Sequence, residues 1–169
     1  MTKKLNIHTR QLLDEVIEAN LNYLVRFATL RIGCKADAED VVHEAVRRIL
    51  ETDISKIKQD SIRMYLFRVV YNLCKDFYIG ERSLRPLTET DDEIPDSSRE
   101  EELDIEEIER LNTLLGTLPE REAEVVRMNV MDELSFVEIS QILSTPASTV
   151  KSRFKSGMDK LRKQYIKNK

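Results

Sequence analysis

The residues best suited to carry chemistry in this chain are cations and short hydroxyls close to its carboxyl end. Residues 147–169 hold eight Lys or Arg residues and one acidic residue, Asp159. The first turns of this segment carry its basic and hydroxyl side chains together: Ser148, Thr149, Lys151, Ser152, Arg153 and Lys155. Hydroxyl and basic side chains contact DNA phosphates, and the longer ones reach base edges in the major groove. The pattern therefore predicts a surface that binds nucleic acid.

The surrounding sequence predicts that this surface belongs to the second helix of a helix-turn-helix. Apolar residues recur at helical spacing and predict a buried stripe on a helix over 147–165. They are Val150, Phe154, Met158 and Leu161. Residues 135–138, Ser-Phe-Val-Glu, have the form of a capping box that opens a short helix through Leu143. Two helices joined by the turn at 144–146, the second of them basic, are typical of a helix-turn-helix.

A second group with chemical potential is a cluster of aromatic side chains. Five of the ten aromatic residues lie within fourteen positions, from Tyr65 to Tyr78. Apolar spacing predicts a helix over about 62–79 with one buried face. Its opposite face carries Tyr65, Arg68, Asn72 and Lys75. An unpaired base stacked on an aromatic ring gains about 1–3 kcal/mol, so this face suits single-stranded nucleic acid. For Phe67 and Tyr71 both core packing and base stacking stay open, whereas Phe77 is predicted to be a core residue.

The charge is segregated along the chain, which predicts two folded units. Residues 86–108 hold eleven acidic residues and one basic residue. Residues 88–102 have too few apolar side chains to offset the entropy of ordering. We therefore predict helical domains over 5–85 and 105–166, joined by a flexible acidic linker over 86–104. Only 4 Gly and 4 Pro, with 34% charged residues, favour an all-α fold.

Local signals predict where several of these helices begin and end. A break at Gly33 ends the first long helix, and Asp37 is the predicted N-cap of the next. In the second domain a helix from about Ile105 ends near Gly116. Pro119 is then the predicted first residue of the helix that follows.

Composition argues against several other classes of protein. No apolar run approaches the ~18 residues of a membrane span, and the start of the chain lacks the apolar core of a signal peptide, so a cytoplasmic location is expected. Cys34 and Cys74 are expected to be reduced thiols, and with His8 and His43 they show no metal-ligand spacing. No nucleophile–base pair or phosphate-cradling Gly loop is visible, so no enzyme, metal or cofactor is predicted.

Three motifs in the second domain resemble region 4 of sigma-70-type factors, the domain that grips the minus-35 element in that family. They are Leu118-Pro-Glu-Arg-Glu-Ala-Glu-Val125, Ser135-Phe-Val-Glu-Ile-Ser140 and Thr149-Val-Lys-Ser-Arg153, with Lys160-Leu-Arg162 closing. In the first domain, Ala36-Asp-Ala-Glu-Asp-Val-Val-His-Glu44 resembles region 2.2. Tyr65-Leu-Phe-Arg-Val-Val-Tyr-Asn-Leu-Cys-Lys-Asp76 resembles regions 2.3 and 2.4. Since the intermediate region 3 has no room between these halves, the resemblance is to the extracytoplasmic-function group.

The resemblance implies an alternative sigma factor that lends promoter recognition to RNA polymerase. It implies minus-35 contacts from Ser148, Thr149, Lys151, Ser152, Arg153 and Lys155. It implies minus-10 contacts from Tyr65, Arg68, Asn72, Lys75 and Arg82. It implies polymerase docking through Asp37, Asp40, His43 and Glu44. The implied partners are core RNA polymerase, promoter DNA and an anti-sigma factor, with no small-molecule substrate and no membrane insertion.

Some positions depart from the family pattern. His43 stands where Gln is usual on the docking helix, and Met64-Tyr65 replaces a common pattern that ends in Trp. Ser140 and Ser144 stand where Ala and Gly are usual, and Ser156 stands where a basic residue often occurs. These changes leave the fold in place and leave the minus-35 sequence open.

Two other classes of function compete with this interpretation. A stand-alone helix-turn-helix repressor explains residues 118–163 but gives the aromatic helix no purpose, and no heptad seam for its dimerisation is visible. A helical adaptor that binds only proteins explains the acidic linker but not the segment Thr149-Val-Lys-Ser-Arg153.

Overall fold

The computed structural model describes residues 7–82 and 105–168, and within them the side chains of all residues except 78–82 and 105. The described residues form seven α-helices and two short 3-10 turns, with no strand among them, which confirms the predicted all-α fold. None of these helices is long and apolar enough to cross a membrane. The linker predicted over 86–104 lies outside the described residues.

The amino-terminal unit is a three-helix bundle made of α1 (Ile7–Ile32), α2 (Lys35–Glu51) and α3 (Ile62–Arg82). Two 3-10 turns, Ile54–Lys56 and Gln59–Ser61, connect α2 to α3. All three helices pack on one another. The bundle core consists of fully buried apolar side chains at helical spacing, among them Leu24, Phe27, Val42, Ile49, Leu66 and Phe67. Burial of these side chains is the main term that stabilises the bundle.

The junction between α1 and α2 differs from the sequence prediction by three residues. Gly33 ends α1 with a φ of +82°, a conformation that favours glycine. The N-cap of α2 is Cys34, not Asp37, and it makes no side-chain capping bond. The amide of Ala38 already donates to the carbonyl of Cys34, so the first turn closes before Asp37 can cap it. Asp37 lies within that first turn, where its charge still favours the helix dipole.

The carboxyl-terminal unit contains α4 (Ile105–Leu115), α5 (Glu120–Val130), α6 (Phe136–Leu143) and α7 (Ala147–Lys167). Helices α5, α6 and α7 pack on one another, and α4 lies against α5. Pro119 is the N-cap of α5 and not its first helical residue. The prediction was wrong by one position because the carbonyl of Pro119 accepts from the amide of Ala123 while its own ψ of 139° is not helical.

The first helix of the helix-turn-helix, α6, opens with the predicted capping box. The Ser135 hydroxyl accepts a bond from the Glu138 amide, and the Glu138 carboxylate accepts one from the Ser135 amide. Helix α6 then ends at Ser144, whose backbone is left-handed at φ 51° and ψ 43°. This turn sets the direction in which α7 leaves α6.

The two units also touch each other. Helix α3 packs along α6, and buried apolar side chains from both units form one continuous cluster. Arg31 of α1 is paired with Glu124 of α5 and with Asp132, each at 2.8 Å.

Candidate nucleic-acid interface

The first turns of α7 place the predicted minus-35 residues on the surface. Ser148, Lys151, Ser152 and Lys155 are exposed, whereas Thr149 and Arg153 are half-buried. Val150, in the middle of this set, is fully buried against the core. The structure therefore gives α7 an apolar inner stripe and a basic, hydroxyl-rich outer face.

The inner stripe fixes how α7 is held. The rings of Phe136 and Phe154 lie 5.1 Å apart between their centroids. Gly157 is buried, and a Cβ built there would lie 2.9 Å from the Cγ2 atom of Val126. Helix α7 thus approaches α5 too closely for a larger residue at this position.

Glu122 of α5 holds the middle of α7 through polar contacts. Its carboxylate accepts a 2.8 Å bond from the Ser156 hydroxyl and bonds of 2.8 and 2.9 Å from Lys160 Nζ. The bonds from Lys160 and then Ser156 lower the pKa of Glu122 below its usual value. Ser156 therefore faces α5.

The cations on the outer face of α7 have no competing partner within the part of the chain that the structure describes. No ion pair there engages Lys151, Arg153 or Lys155, whereas Lys160 pairs with Glu122. Unpaired surface cations are the groups that neutralise phosphates and release counterions on binding DNA.

The polar face of α3 is divided between an exposed edge and a groove. Arg68, Asn72 and Lys75 are exposed, and Tyr65 is half-buried. Tyr65 and Asn72 both line a groove of about 260 Å³ between α2 and α3. The other lining residues are Arg48, Ile49, Thr52, Val69, Leu73 and Asp76. This volume is below the range of pockets for drug-sized ligands. The side chain of Arg82 lies outside the described residues.

The structure separates the aromatic residues whose role the sequence left open. Phe67 is fully buried and makes edge contacts, both with centroids 5.4 Å apart, with Tyr23 and Phe27, so it is a core residue. Tyr71 is half-buried beside α5, and Lys75 Nζ lies 5.5 Å from its ring centre. Burial, followed by the charge of Glu124, raises the pKa of Tyr71 above its usual value.

The four residues predicted to dock on polymerase lie on α2, two of them exposed and two half-buried. Asp40 and His43 are exposed, and Asp37 and Glu44 are half-buried. The Glu44 carboxylate accepts bonds of 2.8 and 2.9 Å from Arg47 and of 2.7 Å from Arg48. These bonds lower the pKa of Glu44 to about 2. Sequence reasoning missed the two arginines, although their i+3 and i+4 spacing from Glu44 is the ordinary signal of helical ion pairs.

Two parts of the chain match models of two conserved regions of one protein family. "Sigma-70 region 2" matches residues 16–83, and "Sigma-70, region 4" matches residues 114–163. Together these matches cover more than half of the chain.

Individual proteins agree with the family match. ECF RNA polymerase sigma factor SigW of Bacillus subtilis (strain 168) is 26% identical in an alignment 164 positions long, which covers 89% of this chain and 87% of SigW. RNA polymerase sigma factor SigV of the same organism is 21% identical over 159 residues, 94% of each chain. A solved structure, "Structure of CnrH in complex with the cytosolic domain of CnrY", has the same fold, with a TM-score of 0.67 at 18% identity. It covers 93% of this chain and 89% of that chain.

The chain belongs to the sigma-70 family of RNA polymerase sigma factors, and within that family to its ECF group. Its described helices are those of sigma regions 2 and 4, and its function is that of an alternative sigma factor, as the sequence predicts.

Proposed function

We propose that this alternative sigma factor reads its promoters with two separate faces, the outer face of α7 at the minus-35 element and the polar face of α3 at the minus-10 element. The observation that carries the proposal is the set of exposed hydroxyls and unpaired cations in the first turns of α7, held over a buried Val150. In a helix-turn-helix, residues near the N-terminus of the second helix contact base edges in the major groove. Lys151 and Arg153 are the longest side chains at that end and are assigned this contact.

The minus-10 face is assigned to single-stranded DNA. Arg68 and Lys75 lie exposed along α3 and hold the phosphate backbone. Tyr65 and Asn72 meet in the groove against α2, where a ring and an amide can receive one unpaired base. Capture of a base outside the duplex offsets the few kcal/mol needed to unstack it, so promoter opening requires no catalytic group of this chain. We accordingly assign it no enzymatic activity of its own.

Polymerase docking is assigned to α2, through Asp37, Asp40, His43 and Glu44. Asp40 and His43 are exposed and three positions apart, so they share a face of the helix. Because its partners are polymerase and promoter DNA, we place the protein in the cytoplasm. CnrH was solved in complex with the cytosolic domain of CnrY, and we propose an anti-sigma protein as a partner of this chain as well.

The test is to separate promoter recognition from polymerase docking. We expect Lys151→Ala with Arg153→Ala to weaken holoenzyme binding to a minus-35 promoter by roughly 30-fold or more, because each of the two lost base contacts costs about 1–3 kcal/mol. Binding to core polymerase, measured by fluorescence anisotropy, should be unchanged.

The matched control is Lys163→Ala, which removes an exposed cation from the far end of the same helix. It should reduce promoter binding by much less than the double variant. An equal loss of polymerase binding and promoter binding in the double variant would contradict the assignment of α7 to DNA.

A further inference from the structure

Two neighbouring arginines on α2 use their hydrogen-bond donors differently. Arg47 uses all three side-chain nitrogens: Nε and Nη2 donate to Glu44, and Nη1 donates to Glu51. Arg48 donates through Nε alone, to Glu44 Oε1 at 2.7 Å. Within the described residues, the two Nη atoms of Arg48 have no hydrogen-bond partner. Since a guanidinium carries five N–H donors, most of the donors of Arg48 remain available to a ligand.

Arg48 is also the arginine that lines the groove between α2 and α3. Its side chain is 53% exposed, and with Ile49 and Thr52 it forms the α2 wall of that groove. Among the lining residues that the structure describes, Arg48 is the one cation. Arg47 is exposed on the same helix but does not line the groove. The arginine with free donors is therefore the one beside the site proposed for an unpaired base.

The groove has an apolar floor and a polar rim. Ile49 and Leu73 are buried at its floor, whereas Arg48, Asn72 and Asp76 are exposed. A base can lay its apolar faces against such a floor, but a charged phosphate cannot leave water for it without a large cost in free energy. The phosphate of a nucleotide whose base enters the groove therefore stays at the rim.

The charges of the two walls decide on which side of the rim that phosphate lies. Asp76 stands on the α3 wall, and within the part of the chain that the structure describes it forms no ion pair with Arg48. A phosphate is repelled by the Asp76 carboxylate and attracted by the Arg48 guanidinium, so it lies at the α2 wall. Asn72 and Asp76 on the other wall then remain for polar groups on the base edge.

We infer that Arg48 is a further DNA-contacting residue, which binds through its Nη atoms the backbone phosphate of the unpaired minus-10 nucleotide whose base enters the groove. This inference rests on the function proposed above for the polar face of α3. A planar guanidinium fork matches two oxygens of a phosphate, and the bond from Nε to Glu44 restrains the side chain before DNA arrives. Helix α2 thus contributes to DNA binding as well as to docking.

The test variant is Arg48→Gln, which removes the cation from the groove wall. The matched control is Arg47→Gln, the same change at the neighbouring residue, which breaks more bonds within α2 but lies outside the groove. Circular dichroism with thermal unfolding establishes that each full-length chain is folded. Each variant is assayed as holoenzyme isolated by size-exclusion chromatography, so that a change in docking does not enter the comparison.

Binding to open DNA decides whether Arg48 contacts the minus-10 strand. The probe is a promoter fragment that the wild-type holoenzyme transcribes, with its minus-10 segment held open by mismatches. We expect Arg48→Gln to weaken binding roughly three- to tenfold, between the effect of an exposed ion pair and that of a charged bidentate bond. Arg47→Gln should weaken it by less than about twofold, as for the loss of exposed helical ion pairs. No loss in Arg48→Gln, or an equal loss in both variants, would overturn the contact.

A scan with neutral methylphosphonates decides whether the partner of Arg48 is a phosphate. Each phosphate of the open minus-10 strand is replaced in turn, and binding of the wild-type and Arg48→Gln holoenzymes is compared. One replacement should weaken the wild type about as much as Arg48→Gln does and should have little further effect on Arg48→Gln, because each change removes the same interaction. Losses that add at every position would overturn the assignment to a phosphate.

Tyr65→Ala separates this inference from the proposed function. Loss of stacking on Tyr65 should weaken binding to the open DNA roughly fivefold or more. If Tyr65→Ala weakens binding and Arg48→Gln does not, the role of Arg48 is overturned while the proposed function stands. If Tyr65→Ala has no effect, the proposed capture of a base in this groove is itself overturned.

Discussion

Ser144 shows how one residue in the turn of the helix-turn-helix bears on stability. It ends α6 in the left-handed region at φ 51°, where the family usually has Gly. A residue with a Cβ pays about 1–2 kcal/mol for that conformation, whereas Gly does not. Serine at position 144 therefore strains the backbone locally and leaves the fold unchanged.

We predict that Ser144→Gly raises the free energy of unfolding by about 1 kcal/mol, because it removes this strain. The matched control is Ser140→Gly in the same helix, where the backbone is helical and the Ser140 hydroxyl donates to the Val137 carbonyl at 2.6 Å. That change should lower the free energy of unfolding by about 0.5–1 kcal/mol. Urea unfolding followed by circular dichroism measures both, and equal effects of one sign would contradict the account.

At the scale of the element, α2 carries an exposed network of charges in addition to the residues proposed to dock on polymerase. Arg47 bonds to Glu44 and, at 2.8 Å, to Glu51, while Arg48 bonds to Glu44. The Glu44 carboxylate, which the sequence analysis assigns to polymerase docking, thus already accepts bonds from two arginines. Docking through Glu44 requires polymerase to share or replace these arginine contacts, whereas Asp40 and His43 are exposed.

The lowered pKa of Glu44 predicts a pH dependence of stability. Its folded-state pKa of about 2 lies below the ordinary value of 4.5, so its contribution is complete above about pH 4.5 and is lost as the pH falls toward 2. The difference in melting temperature between wild type and Glu44→Gln should therefore shrink over that window. Glu39→Gln is the control, since Glu39 is exposed on the same helix without an ion pair among the described residues. A constant difference between pH 6 and pH 2.5 would refute the ion-pair explanation.

Most elements follow from local patterns in the sequence. Apolar spacing predicts α1, α3 and α7, and the Ser135–Glu138 capping box predicts the start of α6, because these signals act within a few residues. The N-cap predicted at Asp37 lies three residues too late, because the carbonyl of Cys34 already accepts from the Ala38 amide. The helix start predicted at Pro119 is one residue too early, because Pro119 is the N-cap and its carbonyl accepts from the Ala123 amide.

At the scale of the whole molecule, the sequence predicted two domains but not their contact. Arg31 pairs with Glu124 and Asp132, which lie 93 and 101 positions further along the chain. A pairing over such a distance gives no periodic signal in the sequence. One local sign exists, because Arg31 lies three and four positions after Ala28 and Phe27 and so shares their apolar face of α1. A cation there requires a partner from elsewhere in the fold. The groove shared by Tyr65 and Arg48 was missed for the same reason, since it forms only when α2 packs on α3.

The most direct test of the central claim is to mix the purified chain with core RNA polymerase and to measure complex formation by size-exclusion chromatography with light scattering. We expect a complex of one chain per polymerase that a housekeeping sigma factor displaces, because the two sigma factors compete for the same docking surface. We also expect the free chain to be a monomer. Absence of a complex, together with a dimer that binds duplex DNA tightly by itself, would contradict the account and favour a stand-alone helix-turn-helix repressor.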